Sequence, residues 1–96
     1  LTTYDLQFLP SALKEWQALD PTIQRQFKAK LRQRLQRPKV PGSRLRAMPD
    51  CYKIKLASLG YRLVYRVDDT AITVLVVAVG KRENLATYRT ALKRVQ

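Results

Sequence analysis

Cations alternate with apolar residues between Cys51 and Val67, and that spacing is where chemistry first shows in this chain. A turn over Ala57–Gly60 sets Leu56 opposite Tyr61, Lys55 opposite Arg62, Ile54 opposite Leu63, Lys53 opposite Val64 and Cys51 opposite Arg66. Opposed residues of an antiparallel pair project to the same side. One side then carries Tyr52, Ile54, Leu56, Tyr61, Leu63, Tyr65 and Val67, a surface for helices to cover. The other carries Lys53, Lys55, Arg62 and Arg66. Like charges directly opposite one another destabilise a sheet by tenths of a kcal/mol up to ~1 kcal/mol, and a purely structural face would mix signs or use Thr and Ser. Cations gathered without a carboxylate suit an anion, phosphate above all. The plainer alternative is a solvated edge whose long side chains reach for water. Arg82 ends the neighbouring strand and can reach the same face.

The chain has no histidine, so an imidazole acid–base pair is excluded. No group of Asp, Glu, Cys and His has the spacing of a catalytic metal site, and no glycine-rich phosphate loop occurs. Glu83 and Asp50 are isolated and read as surface or turn residues. Cys51, with no histidine partner, reads as a small structural residue rather than a nucleophile. Lys, Arg and Tyr remain. Crowding Lys53 and Lys55 with Arg62 is expected to lower a lysine pKa and make a neutral amine available as a base. Arg62 and Arg82 can hold the charge of a pentacoordinate phosphorane. Tyr88 can stack on a base or take a proton from a 2′-hydroxyl, though its spacing equally fits a core aromatic.

The whole composition agrees with a polyanionic partner. Nineteen Lys and Arg against seven Asp and Glu give a net charge of +12 on 96 residues. Such a charge repels itself unless it serves attraction. Nucleic acid is the leading partner; an acidic protein or an anionic membrane would use the same field. The apolar fraction of 46% supports one ordered core, so residues 1–96 are expected to form a single domain. No apolar run is long enough to span a bilayer, and no signal peptide opens the chain. A single cysteine excludes an internal disulfide framework. A cytoplasmic protein is expected, and the start at Leu1 suggests that a residue or more has been lost.

The elements that position these residues follow from periodicity. Tyr4, Leu6 and Phe8 alternate with Asp5 and Gln7, as in a strand with one buried face. Ser11 can cap a short helix with Leu13, Trp16 and Leu19 on one side. Asp20-Pro21 starts a second, with Ile23, Phe27, Leu31 and Leu35 as its stripe and Arg25, Lys28, Lys30, Arg32, Arg34 and Arg37 as a solvated basic face. Pro38, Pro41 and Gly42 end it. Strands are expected over Cys51–Leu56, Tyr61–Val67 and Ile72–Val79, the last apolar on both faces like a central strand. Asn84 can cap a final helix bearing Leu85, Tyr88, Leu92 and Val95. The order is strand, helical hairpin, antiparallel meander and C-terminal helix, an α+β sandwich with helices on one sheet face.

Several segments resemble the RelE toxins of the RelE/ParE superfamily of type II toxin–antitoxin systems. They are Ala12-Leu13-Lys14-Glu15-Trp16, the run from Leu45 through Leu56, Gly60-Tyr61-Arg62-Leu63-Val64-Tyr65, Val79-Gly80-Lys81-Arg82-Glu83, and Tyr88. The resemblance runs almost end to end. It implies a microbial ribonuclease-like α+β fold: an antiparallel sheet, an N-terminal helical hairpin packed on one face and a C-terminal helix. It implies metal-independent cleavage of messenger RNA in the ribosomal A site without a cofactor, by 2′-hydroxyl attack that leaves a 2′,3′-cyclic phosphate. By the same resemblance Lys53 and Lys55 match active-site lysines, with Lys55 favoured as base over Lys53 or Tyr88. Arg62 matches the arginine that stabilises the transition state, and Arg82 one near the leaving oxygen that is often assigned as general acid. Tyr88 matches a nucleotide-stacking tyrosine. Arg46 matches a basic residue near the RNA path, and Arg66 and Lys81 are further expected RNA contacts. Implied partners are the ribosome with its A-site messenger, a RelB-like antitoxin, and operator DNA only through the antitoxin complex, in a bacterial or archaeal cytoplasm. Ala47, which replaces a family glycine, and the Pro41-Gly42 loop depart from the pattern outside the site. A gyrase poison of the related ParE branch and a non-catalytic nucleic-acid-binding module are the competing expectations.

Overall fold

In the computed structural model, which describes residues 3–81 and 86–95, the elements follow the expected order. They are β1 (Asp5–Phe8), α1 (Pro10–Gln17), α2 (Pro21–Gln36), a 3-10 turn at Pro41–Ser43, β2 (Cys51–Leu56), β3 (Tyr61–Asp68), β4 (Thr73–Lys81) and α3 (Ala86–Val95). Asp20 caps α2 by accepting from the Thr22 amide at 2.9 Å. Ser11 does not cap α1: the helix begins a residue earlier at Pro10, with no side-chain cap, as suits a proline whose missing N–H is surplus there.

The sheet order is β1-β4-β3-β2. The meander is antiparallel as expected, whereas β1 lies parallel to β4, making the sheet mixed. Alternation marks a buried face but carries no direction; the crossover through α1 and α2 sets it. A bulge between Val64 and Tyr65 pairs Val64 with Ala78 and Tyr65 with Val76, so Val77 is the extra residue. The slip turns Val77 and Ala78 to one face and leaves Val74, Val76 and Val79 on the other, as a bulge does.

Helices cover both faces, not one. Ala12 and Trp16 of α1 and Ile23, Phe27 and Leu31 of α2 pack on Tyr52, Ile54, Leu56, Leu63, Tyr65, Val67, Val74, Val76 and Val79. On the opposite face, Ala91 of α3, with Tyr88, Leu92 and Val95 beside it, closes over Met48, Cys51, Val64, Val77 and Ala78. The face that carries Lys53, Lys55, Arg62 and Arg66 thus has an apolar patch at its centre, which α3 buries. Leu13, expected in the core, is 39% exposed, and Ala12 takes its place. Ile72, expected to open β4, lies in the preceding turn with φ 51°. Asn84 and Leu85 lie outside the described residues.

Arg34 departs from the expected solvated face of α2. Its Nη1 donates to the Tyr65 hydroxyl at 2.8 Å and the Lys53 carbonyl at 3.2 Å, and its Nη2 to Ser43 Oγ at 3.1 Å. It sits one turn after Lys30 and beside the apolar stripe, close enough to the open edge of β2 to satisfy a strand carbonyl there. Among the described residues no helix is long and apolar enough to cross a membrane.

Candidate active site

The hairpin register is the expected one: Cys51 pairs with Arg66, Lys53 with Val64, Lys55 with Arg62 and Leu56 with Tyr61. Arg62 pairs on its other side with Gly80, so Lys55, Arg62 and Gly80 form one row across three strands. Gly80 is where α3 comes down, since a Cβ there would stand 3.4 Å from Thr87 Oγ1. That approach places the next residue, Tyr88, beside Arg62, with the guanidinium carbon 4.9 Å from the ring centroid. A cation over an aromatic face at this range is held by the ring quadrupole. The Tyr88 hydroxyl is buried and finds no hydrogen-bond partner among the described residues. A buried donor without a partner is costly in a purely structural role. Lys53 and Arg62 are half-buried and Lys55 is exposed.

The remaining expected contacts are not gathered there. Arg66 is exposed on the same face, but the patch of Met48, Cys51, Val64 and Ala91 under α3 separates it from Arg62. It lines a shallow hollow with Gln7, Asp68 and Thr73 instead. Lys81 pairs with Tyr61, which starts its side chain on the side of α1 and α2, away from Arg62. Arg46 is exposed in the loop before β2, next in sequence to Leu45, which packs against the α3 cluster. Arg82 and Glu83 lie outside the described residues.

Neighbouring groups behave as structure. Burial pushes the Cys51 thiol up to about 11, and the side chain is fully enclosed, so it is a poor nucleophile. Asp50 is a turn residue with φ 62°, its carbonyl accepting from the Val67 amide at 2.9 Å. No group of His, Cys, Asp and Glu among the described residues could hold a metal ion.

An ion pair absent from the sequence reading fixes the helix that carries Tyr88. Strand β1 stops opposite Val76, leaving the rest of that edge of β4 open. Arg94 of α3 donates to the Val77 carbonyl at 2.8 Å, and Glu15 of α1 accepts from the Val79 amide at 3.3 Å. The two side chains meet in a bidentate pair at 2.8 and 3.1 Å. Glu15 and Arg94 are 79 positions apart, and no local pattern links them.

Comparison with known proteins relates the whole chain to characterised toxins. The family described as ParE toxin of type II toxin-antitoxin system, parDE, matches residues 6–86. The mRNA interferase toxin RelE of Escherichia coli strain K12 is 51% identical over 92 residues, covering 96% of this chain and 97% of that protein. A solved structure of a mutant of the E. coli toxin RelE in the free state superposes with a TM-score of 0.91 at 48% identity, covering 99% of this chain and all of that one. The toxin in the intact E. coli RelBE toxin–antitoxin complex superposes at 0.81 with 52% identity, covering 84% of this chain and 99% of that one.

Proposed function

This chain belongs to the ParE toxin family of type II toxin–antitoxin systems, and we propose that it works there as an mRNA interferase of the RelE kind, cutting messenger RNA in the ribosomal A site. The arrangement that carries the reading is the row of Lys55 and Arg62 with the Tyr88 ring against the guanidinium: adjoining cations for a phosphate beside an aromatic platform for a base. The 2′-hydroxyl attacks the adjacent phosphate, and its proton passes to Lys55, Lys53 or Tyr88. Arg62 neutralises the developing phosphorane charge. Arg82 protonates the departing 5′-oxygen, leaving a 2′,3′-cyclic phosphate.

Lysine and arginine have ordinary pKa values far above neutrality and transfer protons less readily than imidazole. Holding the 2′-hydroxyl in line with the phosphate can supply roughly 7–11 kcal/mol, and the ribosome imposes that geometry here. A RelB-like antitoxin holds the toxin inactive in the cytoplasm, and the pair contacts operator DNA through the antitoxin. Arg46, Arg66 and Lys81 serve as outlying RNA contacts rather than members of the reacting cluster.

The test is RNA cleavage by the antitoxin-free protein on naked messenger and on programmed ribosomes, beside Arg82→Ala. The expected result is A-site cuts on ribosomes alone, lost in the variant while ribosome binding persists. The matched family's ParE description favours a second reading, a gyrase poison. DNA double-strand breaks without RNA cuts would support it, and ribosome binding without turnover would leave only a binding module.

A further inference from the structure

A second basic feature adjoins the site on the far side of β2. Lys30 and Arg34 of α2, Gly42 and Ser43 of the 3-10 turn, and Lys53, Ile54 and Lys55 of β2 line an open cleft of about 340 Å³. Lys30 and Arg34 are one helical turn apart and share a face of α2. Arg34 is already committed: its bonds to the Lys53 carbonyl, the Tyr65 hydroxyl and Ser43 Oγ hold helix, strand and turn at a set separation. The cleft is therefore preformed, and among the described residues no carboxylate lines it. Its one apolar lining residue, Ile54, is 1% exposed. A protein partner would meet almost no apolar surface to anchor on, whereas protein interfaces are built on such anchors. At Gly42 a Cβ would meet nothing within 4 Å, so a side chain placed at the turn fits without disturbing it.

We propose that this cleft is a groove for the phosphodiester backbone of RNA, continuous through Lys53 and Lys55 with the reacting cluster, with Lys30 as its outer phosphate contact. The proposal rests on the RNA-cleaving reading and adds to it a path for the strand away from the cut. Phosphate contacts position an RNA without reading its sequence, so the groove accepts any sequence.

Charge reversal at Lys30 is compared with the same reversal at Lys28, which is exposed on α2 but does not line the cleft. Lys30→Glu and Lys28→Glu change the net charge equally, so any difference between them belongs to the cleft. Gly42→Asp adds a carboxylate at the turn without removing a cation. Binding of the full chain is measured by salt titration on a single-stranded RNA 12-mer, and separately on ribosomes with an empty A site.

Lys30→Glu and Gly42→Asp should each weaken binding about tenfold beyond Lys28→Glu. Lys30→Ala should lower the slope of log affinity against log salt by about 0.7, the value of one single-strand phosphate contact. Weakening on the 12-mer upholds the proposal, and weakening on vacant ribosomes alone, which would put ribosomal RNA in the groove, overturns it. Equal behaviour of the Lys30 and Lys28 variants on both probes overturns it, as does a defect confined to binding of an acidic antitoxin peptide. Wild-type protein that cleaves programmed messenger while the two variants match leaves the ribonuclease reading standing. Wild-type protein that neither binds RNA nor cleaves it removes both.

Discussion

Tyr88 is the residue at which structure and chemistry pull apart. Its ring is well placed against Arg62, but its hydroxyl is buried without a partner among the described residues. Tyr88→Phe keeps the ring and removes the unsatisfied group, so the variant should unfold at the same or higher denaturant concentration, by up to about 1 kcal/mol. Retained cleavage in Tyr88→Phe with loss in Tyr88→Ala would make the ring a stacking platform; loss in both would make the hydroxyl a proton carrier. Cys51 makes a pH statement. Its folded thiol lies near 11 against an ordinary 9.0. The folded state therefore keeps a proton that the unfolded chain gives up. The contribution is intact below about pH 9 and is lost as the pH climbs toward 11. Denaturation midpoints at pH 8 and 10.5 should fall further for wild type than for Cys51→Ala. Ile72 is strained, being β-branched and held at φ 51° with 40% exposure. Ile72→Asn should stabilise the fold by up to about 1 kcal/mol, read from the same denaturation curves.

At the scale of elements, the open length of β4 determines how α3 is held. Glu15 and Arg94 complete the edge that β1 leaves unpaired, tying a helix on one sheet face to a helix on the other. Both side chains are partly solvated, at 34% and 22% exposure, so the ion pair itself is worth little. The backbone groups it satisfies matter more. Arg94→Ala should cost on the order of 1–2 kcal/mol and speed hydrogen exchange at the Val79 amide. An unchanged Val79 exchange rate would show that the edge is satisfied some other way. Because α3 carries Tyr88, the same variant should loosen the ring from Arg62.

For the whole molecule, charge is the governing quantity. A net charge of +12 over a body with a Cα radius of gyration of 12.2 Å is self-repulsive. Added salt shortens the range of that repulsion, to about 10 Å at 0.1 M. The Tm should therefore rise between 50 and 500 mM NaCl while affinity for RNA falls steeply over the same range. A Tm that falls with salt would mean that local ion pairs outweigh the net repulsion. Lys39 and Tyr4 both bond Asp69, but Lys39 and Asp69 are about half exposed, at 48% and 53%, so their attraction is screened along with the rest.

Local periodicity determined most of the elements and the row that sets Lys55 beside Arg62. Alternation over Cys51–Leu56 and Tyr61–Val67, with a turn of set length between them, leaves one register that buries a single apolar set. Lys55 had to face Arg62, because a slip of one residue would have turned every side chain over. The resemblance to RelE toxins named the reaction that such a row can perform. What the sequence left open was decided by groups that meet only after folding. The parallel placement of β1, the bulge at Val77 and the seating of α3 on the basic side each depend on contacts between distant segments. Arg34 looked like one more solvated cation until α2 lay against the edge of β2, and Glu15 was one carboxylate among seven until α3 brought Arg94 to it. A period along the chain reports which way a side chain points. It says nothing of which backbone groups remain unpaired at a sheet edge, and those unpaired groups drew Arg34, Glu15 and Arg94 into place.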